Sequence, residues 1–272
     1  MTLWCLTKNS ILIARKSIDA YDRKDIDMTD FKERIKKFEH LLSASKNTVF
    51  FGGAGVSTES GIPDFRSKDG LYNQHDVQFD KYEPEYLLSY SCLRDNPKVF
   101  FEFYNQKMNC ANVEPNITHK KLAELEKAGK LSAIITQNID GLHQKAGSKN
   151  VIEIHGTTQT GYCVNCGQSC LGEMLFSESC DIPLCTCGGM LRPDVVLYEE
   201  NLPQDAWNKA IEAVNNAELF IIGGTSLSVY PARDLVFYTR CPIVVINRDE
   251  TEADSYADIV FHENLGTVFG CL

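Results

Sequence analysis

The sequence predicts an α/β fold, a Rossmann-like doubly wound parallel sheet that carries a helical insertion and a small zinc-binding module. Short β-branched runs alternate with helical patterns, which is typical of a parallel sheet covered on both faces. A glycine-rich stretch, "FFGGAGVSTES" from Phe50, follows the first of these runs. Six of the eleven cysteines lie between Cys163 and Cys187, which indicates a metal site set into the fold.

The first helix is indicated by apolar residues at helical spacing from Phe31 to Leu42, with Asp30 as the expected N-cap. Two more helices are expected at Pro115–Ala128 and Pro203–Val214. Buried strands are predicted in "TVFF" from Thr48, "LSAIITQN" from Leu131, "NVIEIHG" from Asn150, "PDVVLYEE" from Pro193, "AELFIIGGTS" from Ala217 and "CPIVVINRD" from Cys241.

The chain of 272 residues is long enough for one good core and a small attached module. We expect residues 1–27 to be a poorly ordered extension or a start assigned too early, because Met28 opens a natural beginning. The sheet domain is predicted from 28–66, 130–157 and 192–272, the helical insertion and connecting helix from 67–129, and the zinc-binding module from 158–191.

Composition narrows the classes of partner. The formal net charge of −10 argues against direct nucleic-acid binding, which needs clustered Lys and Arg, and suits a basic peptide better. The longest apolar runs are far shorter than the roughly 20 residues of a transmembrane helix, so no membrane partner is expected. Because so many cysteines indicate thiols or metal ligands, we expect a cytoplasmic protein. The oligomeric state and the physiological substrates stay open.

Polar or glycine residues follow four of the predicted strands. These are Gly52–Gly55, Gln137 with Asn138, Gly224–Ser226, and Asn247. In an open α/β sheet, ligands bind in the crevice beyond the carboxyl ends of the strands. Together the four strand ends predict one site for an extended polar ligand.

The turn Gly53-Ala54-Gly55 suits a pyrophosphate, because its backbone N–H groups can approach the oxygens closely. Thr58 stands where the dehydrogenase fingerprint has its third glycine, and no second strand ends in the usual acidic ribose ligand. Taken alone, the turn is explained equally well as a structural feature.

Cys163-x-x-Cys166 and Cys185-x-Cys187 predict a four-thiolate zinc site with a structural role. The surrounding module has too few apolar residues for a core of its own, so the metal would supply folding energy. The second pair is one residue shorter than the common C-x-x-C spacing. Cys170 or Cys180 therefore stays open as a replacement ligand.

His155 closes a predicted strand beside the crevice, where an imidazole could accept a proton near neutral pH. A lone histidine also has an ordinary structural explanation. Asp64, Asp140 and His143 have a similarly plain interpretation as caps and turn residues.

Seven motifs in order resemble the sirtuins, the NAD-dependent protein deacylases, and in particular their bacterial branch. They are "GAGVSTESGIPDFRS", "TQNIDGLHQKAG", "EIHG", the paired cysteines, "RPDVVLYEENLP", "GGTSLSVYPA" and "VVINRDET". The resemblance extends from Thr29 to Leu272.

The resemblance implies a role for each site residue. His155, Asn138 and Asp140 would be catalytic, with His155 as the base and Asp140 accepting hydrogen bonds from the nicotinamide carboxamide. NAD would be bound by Ala54, Gly55, Thr58, Asp64, Phe65, Arg66, Gln137, Asn138, Ile139, Asp140, Gly224, Thr225, Ser226, Asn247 and Leu265.

The implied reaction joins an acyl-lysine substrate to NAD. The acyl oxygen attacks the ribose C1′ as nicotinamide leaves, and His155 then takes a proton from a ribose hydroxyl. The products are nicotinamide, O-acyl-ADP-ribose and deacylated lysine.

Substrate contacts are implied for Val196, Leu197, Tyr104 and Lys107. The common sirtuin pattern has Phe-Gly where this chain has Tyr198-Glu199. Lys107 stands where members that prefer acidic acyl groups carry arginine, and lysine lacks the guanidinium fork that binds a carboxylate. We therefore expect acetyl and plain alkyl groups to be preferred over succinyl.

Three other functions fit parts of the sequence. An ADP-ribosyltransferase or NAD hydrolase would use the same dinucleotide site. A nicotinamide-dependent dehydrogenase fits less well, because the acidic ribose ligand is absent. A zinc-ribbon interaction module explains the cysteines but leaves the four strand ends without a role.

Overall fold

A computed structural model describes residues 29–68, 70–73, 76, 78–176 and 181–272 of the chain. The predictions for residues 1–27 and for Cys180 lie outside the described residues. In chain order the helices are α1 29–44, α2 Pro84–Leu87, α3 Tyr90–Asp95, α4 Pro97–Lys107, α5 Ile117–Lys127, α6 Leu142–Ala146, α7 Gln204–Asn215 and α8 Leu265–Phe269. The strands are β1 Thr48–Gly52, β2 Leu131–Thr136, β3 Val151–Glu153, β4 Gly156–Cys163, β5 Ser169–Leu171, β6 Leu191–Val195, β7 Leu219–Gly223, β8 Ile243–Ile246 and β9 Ile259–Phe261.

Six strands form a parallel sheet in the order β3-β2-β1-β7-β8-β9. Strands β2 and β3 lie on one side of β1 in this order, and strands β7, β8 and β9 lie on the other. The strand order therefore reverses at β1. The carboxyl ends of β1, β2, β7 and β8 therefore lie side by side, at the topological switch point where α/β folds bind ligands.

Both faces of this sheet are covered by apolar side chains. Phe50 points into one buried cluster with α1, α5 and α8, while Val49 and Phe51 point into the other cluster with α7. Successive strand residues point to opposite faces, so a strand buried on both sides must be apolar throughout. This explains the uninterrupted run "TVFFG" in β1, in which every residue is buried.

The remaining strands form a separate antiparallel sheet in the order β5-β4-β6. The assignment of the segment from Pro193 to the parallel sheet is therefore wrong, because β6 pairs with β4, with Cys163 opposite Leu191. An apolar run shows that a strand is buried but does not say which sheet it joins. A third apolar cluster packs this small sheet against α3 and α4.

Helix ends follow the sequence with two differences. Asp30 lies inside α1, not at its N-cap, and its carboxylate pairs with Arg34 at 2.9 Å. Helix α5 begins after Asn116, whose side chain accepts from the backbone N–H groups of Thr118 and His119 in a capping box. Within the described part of the chain, no helix is both long and apolar enough to span a bilayer.

Candidate active site

One cavity of about 540 Å³ opens at the carboxyl edge of the parallel sheet. The ends of β1, β2, β7 and β8 line one wall, and α4 and the segment after β6 line the other. Every predicted catalytic, cofactor and substrate residue lines this cavity. They are His155, Asn138, Asp140, Ala54, Gly55, Thr58, Asp64, Phe65, Arg66, Gln137, Ile139, Gly224, Thr225, Ser226, Asn247, Leu265, Val196, Leu197, Tyr104 and Lys107.

The glycine turn after β1 is shaped by the neighbouring loop as much as by any ligand. A Cβ on Gly53 would lie 2.8 Å from the Cβ of Thr225, and one on Gly55 would lie 2.7 Å from the Cα of Gly224. The N–H of Gly55 donates to the Gly224 carbonyl at 2.8 Å. Within the described residues, the Ala54 N–H has no such acceptor, so it is free to bind a ligand oxygen in the cavity.

A buried hydrogen-bond chain lies at the inner end of the cavity. Asn138 Nδ2 donates to Ser57 Oγ at 3.0 Å, and Ser57 Oγ donates to Asp140 Oδ2 at 2.6 Å. The other carboxylate oxygen of Asp140 accepts from the Leu142 N–H at 2.9 Å. Burial raises the pKa of Asp140, and the bonds from Ser57 and Leu142 oppose that shift. Each carboxylate oxygen keeps a lone pair for a further donor.

Sequence reasoning missed Ser57. Its side chain is buried and orients both Asn138 and Asp140. It lies in a stretch of small polar residues, "VSTES", in which no spacing distinguishes it from its neighbours. Only the fold, which brings β1 and β2 together, shows that Ser57 and Asp140 meet.

His155 lies in the turn between β3 and β4. Its Nδ1 lies 3.1 Å from the Gln137 carbonyl oxygen, which can only accept. The proton of the neutral ring is therefore on Nδ1, and Nε2 carries the free lone pair. Burial lowers the pKa of His155, while the bond to Gln137 opposes that shift. The ring is thus held as a neutral base at neutral pH.

Gly156 explains how the chain leaves the parallel sheet beside His155. Its φ of 74° is in the left-handed region, and a Cβ there would lie 2.1 Å from the Asp194 carbonyl oxygen. No other residue allows β4 to approach β6 so closely at this point. The Val196 N–H also donates to the His155 carbonyl at 2.9 Å, so β6 and the histidine are joined directly.

The far end of the cavity is formed by the loops after β7 and β8. Gln137 Nε2 donates to Thr225 Oγ1 at 2.9 Å, which links the end of β2 to the loop after β7. Asn247 follows β8, and its backbone N–H donates to Phe261 in β9. Leu265 begins α8 and is buried beside Gly223. This end of the cavity therefore offers hydroxyl, amide and apolar contacts to a ligand.

Two more histidines lie in the contact between α5 and α6. The ring centroids of His119 and His143 are 4.7 Å apart, and both side chains are almost fully buried. Burial lowers the pKa of His119 to about 4 and that of His143 to about 3. The expectation that His143 is a cap or turn residue is therefore wrong, because it is a buried, neutral residue inside α6 that packs against His119 and Phe50.

A buried ion pair supports the opposite wall. The Arg192 guanidinium lies 2.6 Å from Glu200 and also donates to the Val195 carbonyl. Glu200 in turn accepts from the Leu197 N–H at 2.9 Å. Although burial disfavours its charge, the bonds from Arg192 and Leu197 hold the pKa of Glu200 below its ordinary value. The pair therefore fixes the path of the chain from β6 along the cavity.

Glu199 occupies the position where the common sirtuin pattern has glycine. Its φ of 77° is in the left-handed region, which explains why glycine suits this position. Its carboxylate accepts from both the N–H and the Oγ of Ser91, at 3.0 and 2.7 Å. These bonds hold the glutamate in a conformation that costs a non-glycine residue about 1–3 kcal/mol.

The pair Tyr104 and Lys107 lines the cavity from α4. The Tyr104 ring stacks on Phe176 at 5.0 Å, and burial raises the pKa of its hydroxyl, which has no hydrogen-bond partner among the residues that the structure describes. Lys107 Nζ lies 3.5 Å from Asp76 Oδ2. The charge of the lysine is therefore already balanced within the protein.

The four predicted cysteine ligands meet at one point. The sulfurs of Cys163, Cys166, Cys185 and Cys187 all lie within 4.8 Å of one another. Cys163 and Cys187 are 3.5 Å apart, and Cys166 and Cys185 are 3.8 Å apart. Tetrahedral zinc with bonds of about 2.3 Å requires sulfurs about 3.8 Å apart. The donor set fits one zinc ion, and none of the four lines the cavity.

Comparison with known proteins agrees with this geometry. The model of the Sir2 family matches residues 53–231. A Clostridium perfringens protein named as an NAD-dependent protein deacetylase is 50% identical over 242 residues, which is 88% of this chain and 98% of that protein.

Solved Sir2 structures are similar over the same region. One, with a deacetylated p53 peptide and 3′-O-acetyl-ADP-ribose, is 37% identical at a TM-score of 0.79, covering 87% of this chain and 96% of that one. Another, with a p53 peptide and NAD+, is 39% identical at a TM-score of 0.77, covering 87% and 95%. With the family model, the relatives and the cavity in agreement, the chain belongs to the Sir2 family.

Proposed function

We propose that this protein is an NAD-dependent protein-lysine deacetylase. The observation that carries the proposal is the single cavity in which a neutral His155, the Asp140 chain and the segment after β6 face one another. The Clostridium perfringens relative is named for this activity, and the Sir2 structures hold peptide with either NAD+ or the acetylated ADP-ribose.

The sheet wall suits the dinucleotide. We assign the pyrophosphate to the turn at Ala54 and Gly55 with Thr58 beside it, and the adenosine to Gly224, Thr225, Ser226, Asn247 and Leu265. The nicotinamide end then lies against Asp64, Phe65, Arg66, Gln137 and Ile139. When bound, NAD supplies an electrophilic ribose carbon, because departure of its nicotinamide leaves that carbon short of electrons.

Asn138 and Asp140 orient the nicotinamide carboxamide. The Asp140 carboxylate is held from two sides by Ser57 and Leu142 and keeps lone pairs for an amide N–H. Such a fixed acceptor in a buried pocket holds the ring in one orientation and keeps water from it.

His155 is the general base. With its proton on Nδ1 and its pKa lowered by burial, Nε2 is free to accept a proton from a ribose hydroxyl. The Gln137 carbonyl also stabilises the ring once Nε2 is protonated, because Nδ1 continues to donate to it.

The segment after β6 suits an extended peptide, with Val196 and Leu197 beside the acyl-lysine. The backbone N–H groups of Val196, Leu197 and Tyr198 already donate to His155, Glu200 and Leu88. Within the described residues, the first N–H past Val195 that donates to no protein group is that of Glu199. We therefore propose that the Glu199 N–H is available to the backbone of the peptide, with Tyr104 and Lys107 lining the acyl channel.

Three further proposals concern the location of the protein, the charge of its substrate and its division into domains. We propose a cytoplasmic location, because a chain with many cysteines, four of them clustered as zinc ligands would be, is typical of a reducing compartment. The net charge of −10 favours a basic acyl-lysine protein over nucleic acid as the substrate. We also propose the predicted division into the sheet domain, the helical insertion of 67–129 and the zinc module of 158–191.

The test is incubation with acetyl-lysine and succinyl-lysine peptides, with and without NAD, and with the unacylated peptide as control. Nicotinamide release that requires both NAD and the acetyl group, together with O-acetyl-ADP-ribose by mass spectrometry, supports the proposal. Nicotinamide release with free ADP-ribose or modified protein, and no deacetylated peptide, would contradict it in favour of hydrolysis or ADP-ribosyl transfer.

A further inference from the structure

Tyr198 makes an unusual contact for a residue on the peptide side of the cavity. Its hydroxyl lies 2.8 Å from the hydroxyl of Tyr72, and it accepts a hydrogen bond from Arg66 Nη2 at 3.1 Å. The Arg66 guanidinium also lies 5.7 Å from the centroid of the Tyr72 ring. All three side chains line the cavity.

Arg66 and Tyr72 belong to one loop that follows the glycine turn and is described at residues 64–68 and 70–73; we name it the 64–73 loop. The loop is closed on itself by backbone bonds, from Leu71 to Asp64 at 2.6 Å and from Tyr72 to Phe65 at 2.9 Å. The Asp64 carboxylate accepts from the N–H groups of Arg66 and Ser67. These bonds give the loop an internal shape but do not attach it to the rest of the protein.

The attachment comes from Tyr198. Among the described residues, every hydrogen bond that leaves the 64–73 loop ends on the Tyr198 hydroxyl. Tyr198 itself is anchored, because its N–H donates to Leu88 at 3.0 Å and its carbonyl accepts from Tyr90 at 3.1 Å. The neighbouring Glu199 adds its two bonds to Ser91. Among the described residues, the Tyr198 hydroxyl therefore makes all the hydrogen bonds that connect the 64–73 loop to the rest of the protein.

We infer that Tyr198 is a positioning residue whose hydroxyl holds the 64–73 loop closed over the cofactor end of the cavity. The inference rests on the proposed function for the identity of the ligand, but not for the contact itself. A phenylalanine at this position would keep the ring packing and lose both hydrogen bonds. The loop would then open more often, and Arg66 would lose its fixed position beside the ligand.

The first test measures the loop directly. Arg66 and Lys68 are exposed trypsin sites within it. Tyr198→Phe is expected to speed tryptic cleavage at these sites about 5- to 150-fold, the population change from losing two hydrogen bonds of about 0.5–1.5 kcal/mol each. Tyr72→Phe should have a smaller effect in the same direction, and the double variant should add little to Tyr198→Phe.

The second test uses ADP-ribose as the probe, because it has no nicotinamide to lose. Tyr198→Phe is expected to weaken ADP-ribose binding several-fold and to raise the KM for NAD, with a smaller change in kcat. Tyr256→Phe, whose ring is exposed outside the cavity, is the matched control and should change neither quantity.

Unchanged cleavage and unchanged ADP-ribose binding in both Tyr198→Phe and Tyr72→Phe would overturn the inference. If Tyr198→Phe lowered the stability of the whole protein, cleavage would speed up throughout the chain and circular dichroism would detect the change. That outcome would also contradict a specific role of Tyr198 in holding the loop. Absence of deacetylation by the unmodified protein would contradict the proposed function alone, because cleavage and ADP-ribose binding do not depend on turnover.

Discussion

The two walls of the cavity are stabilised in different ways. The sheet wall is formed by strand ends whose strands are buried in two apolar clusters, and the proposed chemistry depends on Asp140 and His155 beside it. The opposite wall, formed by α4 and the segment after β6, is named the substrate wall; it rests on a small antiparallel sheet, one apolar cluster and four cysteines that fit zinc. Because the two walls are stabilised by different apolar clusters, we expect removal of the metal and removal of the catalytic base to have different effects. The first should unfold the substrate wall, and the second should lower turnover without unfolding either wall.

Zinc removal is the largest expected perturbation of the substrate wall. Structural zinc contributes about 10–16 kcal/mol to folding of small sites, so Cys166→Ser or chelation should unfold the small sheet and abolish deacetylation. The parallel sheet should keep its own unfolding transition, measured by circular dichroism with zinc content by mass spectrometry. Cys271→Ser is the control, since that thiol is exposed and outside the cluster. Full activity in zinc-free protein would remove the distinction between the walls.

Loss of the base is the next largest effect and acts on the sheet wall alone. His155→Ala should lower kcat about 10²–10⁴-fold, the usual contribution of a general base, while zinc content and ADP-ribose binding stay near their original values. His40→Ala, on the exposed face of α1, serves as control. Near-normal turnover in the His155 variant would remove this residue from its role.

Acid should destabilise the sheet wall through His119 and His143. Each is neutral in the folded protein, with a pKa of about 4 and about 3 against an ordinary value of 6.5. Below pH 6.5 the unfolded chain takes up protons that the folded chain excludes, so stability falls as the pH falls. The expected loss is about 1.4 kcal/mol per pH unit for each histidine, down to about pH 4 for His119 and about pH 3 for His143.

Denaturant unfolding between pH 7 and pH 5 measures this slope. His143→Phe should reduce the slope even if it changes the stability at pH 7. An unchanged slope in the His143 variant would show that other groups bind the protons.

The smallest expected effect concerns acyl selectivity at the substrate wall. Lys107 is paired with Asp76 and lacks a guanidinium fork, so a succinyl carboxylate would enter without a well-matched partner. We expect kcat/KM for succinyl peptide to be at least about fivefold below that for acetyl peptide. Lys107→Arg should narrow the gap and Lys107→Met should not. If the unmodified protein removed succinyl groups as fast as acetyl groups or faster, the expected preference for acetyl peptide would be wrong.

Much of the sheet wall could be predicted because its signal is local. Runs such as "TVFFG" and "LFIIG" are buried on both faces, and glycine or polar residues mark where β1, β2, β7 and β8 end. The rule that parallel strands present their carboxyl ends at one edge then brings those ends together.

The features that sequence reasoning missed depend on contacts between distant segments. Ser57 acquires its role from Asp140, 83 residues further on. The segment at Pro193 joins β4 because the cysteine loops bring them together, and His143 is buried because α5 covers it. None of these has a spacing or periodicity of its own, so a single sequence could not show them.

The turn at Gly156 has a consequence for how the two sheets cooperate. His155 precedes that glycine, and its Nδ1–H donates to the Gln137 carbonyl just after β2, while its own carbonyl accepts from the Val196 N–H just after β6. His155 thus lies where the chain passes from the parallel sheet to the antiparallel sheet. A change in the angle between the two sheets would therefore shift the imidazole as well, because the residue is bonded to both.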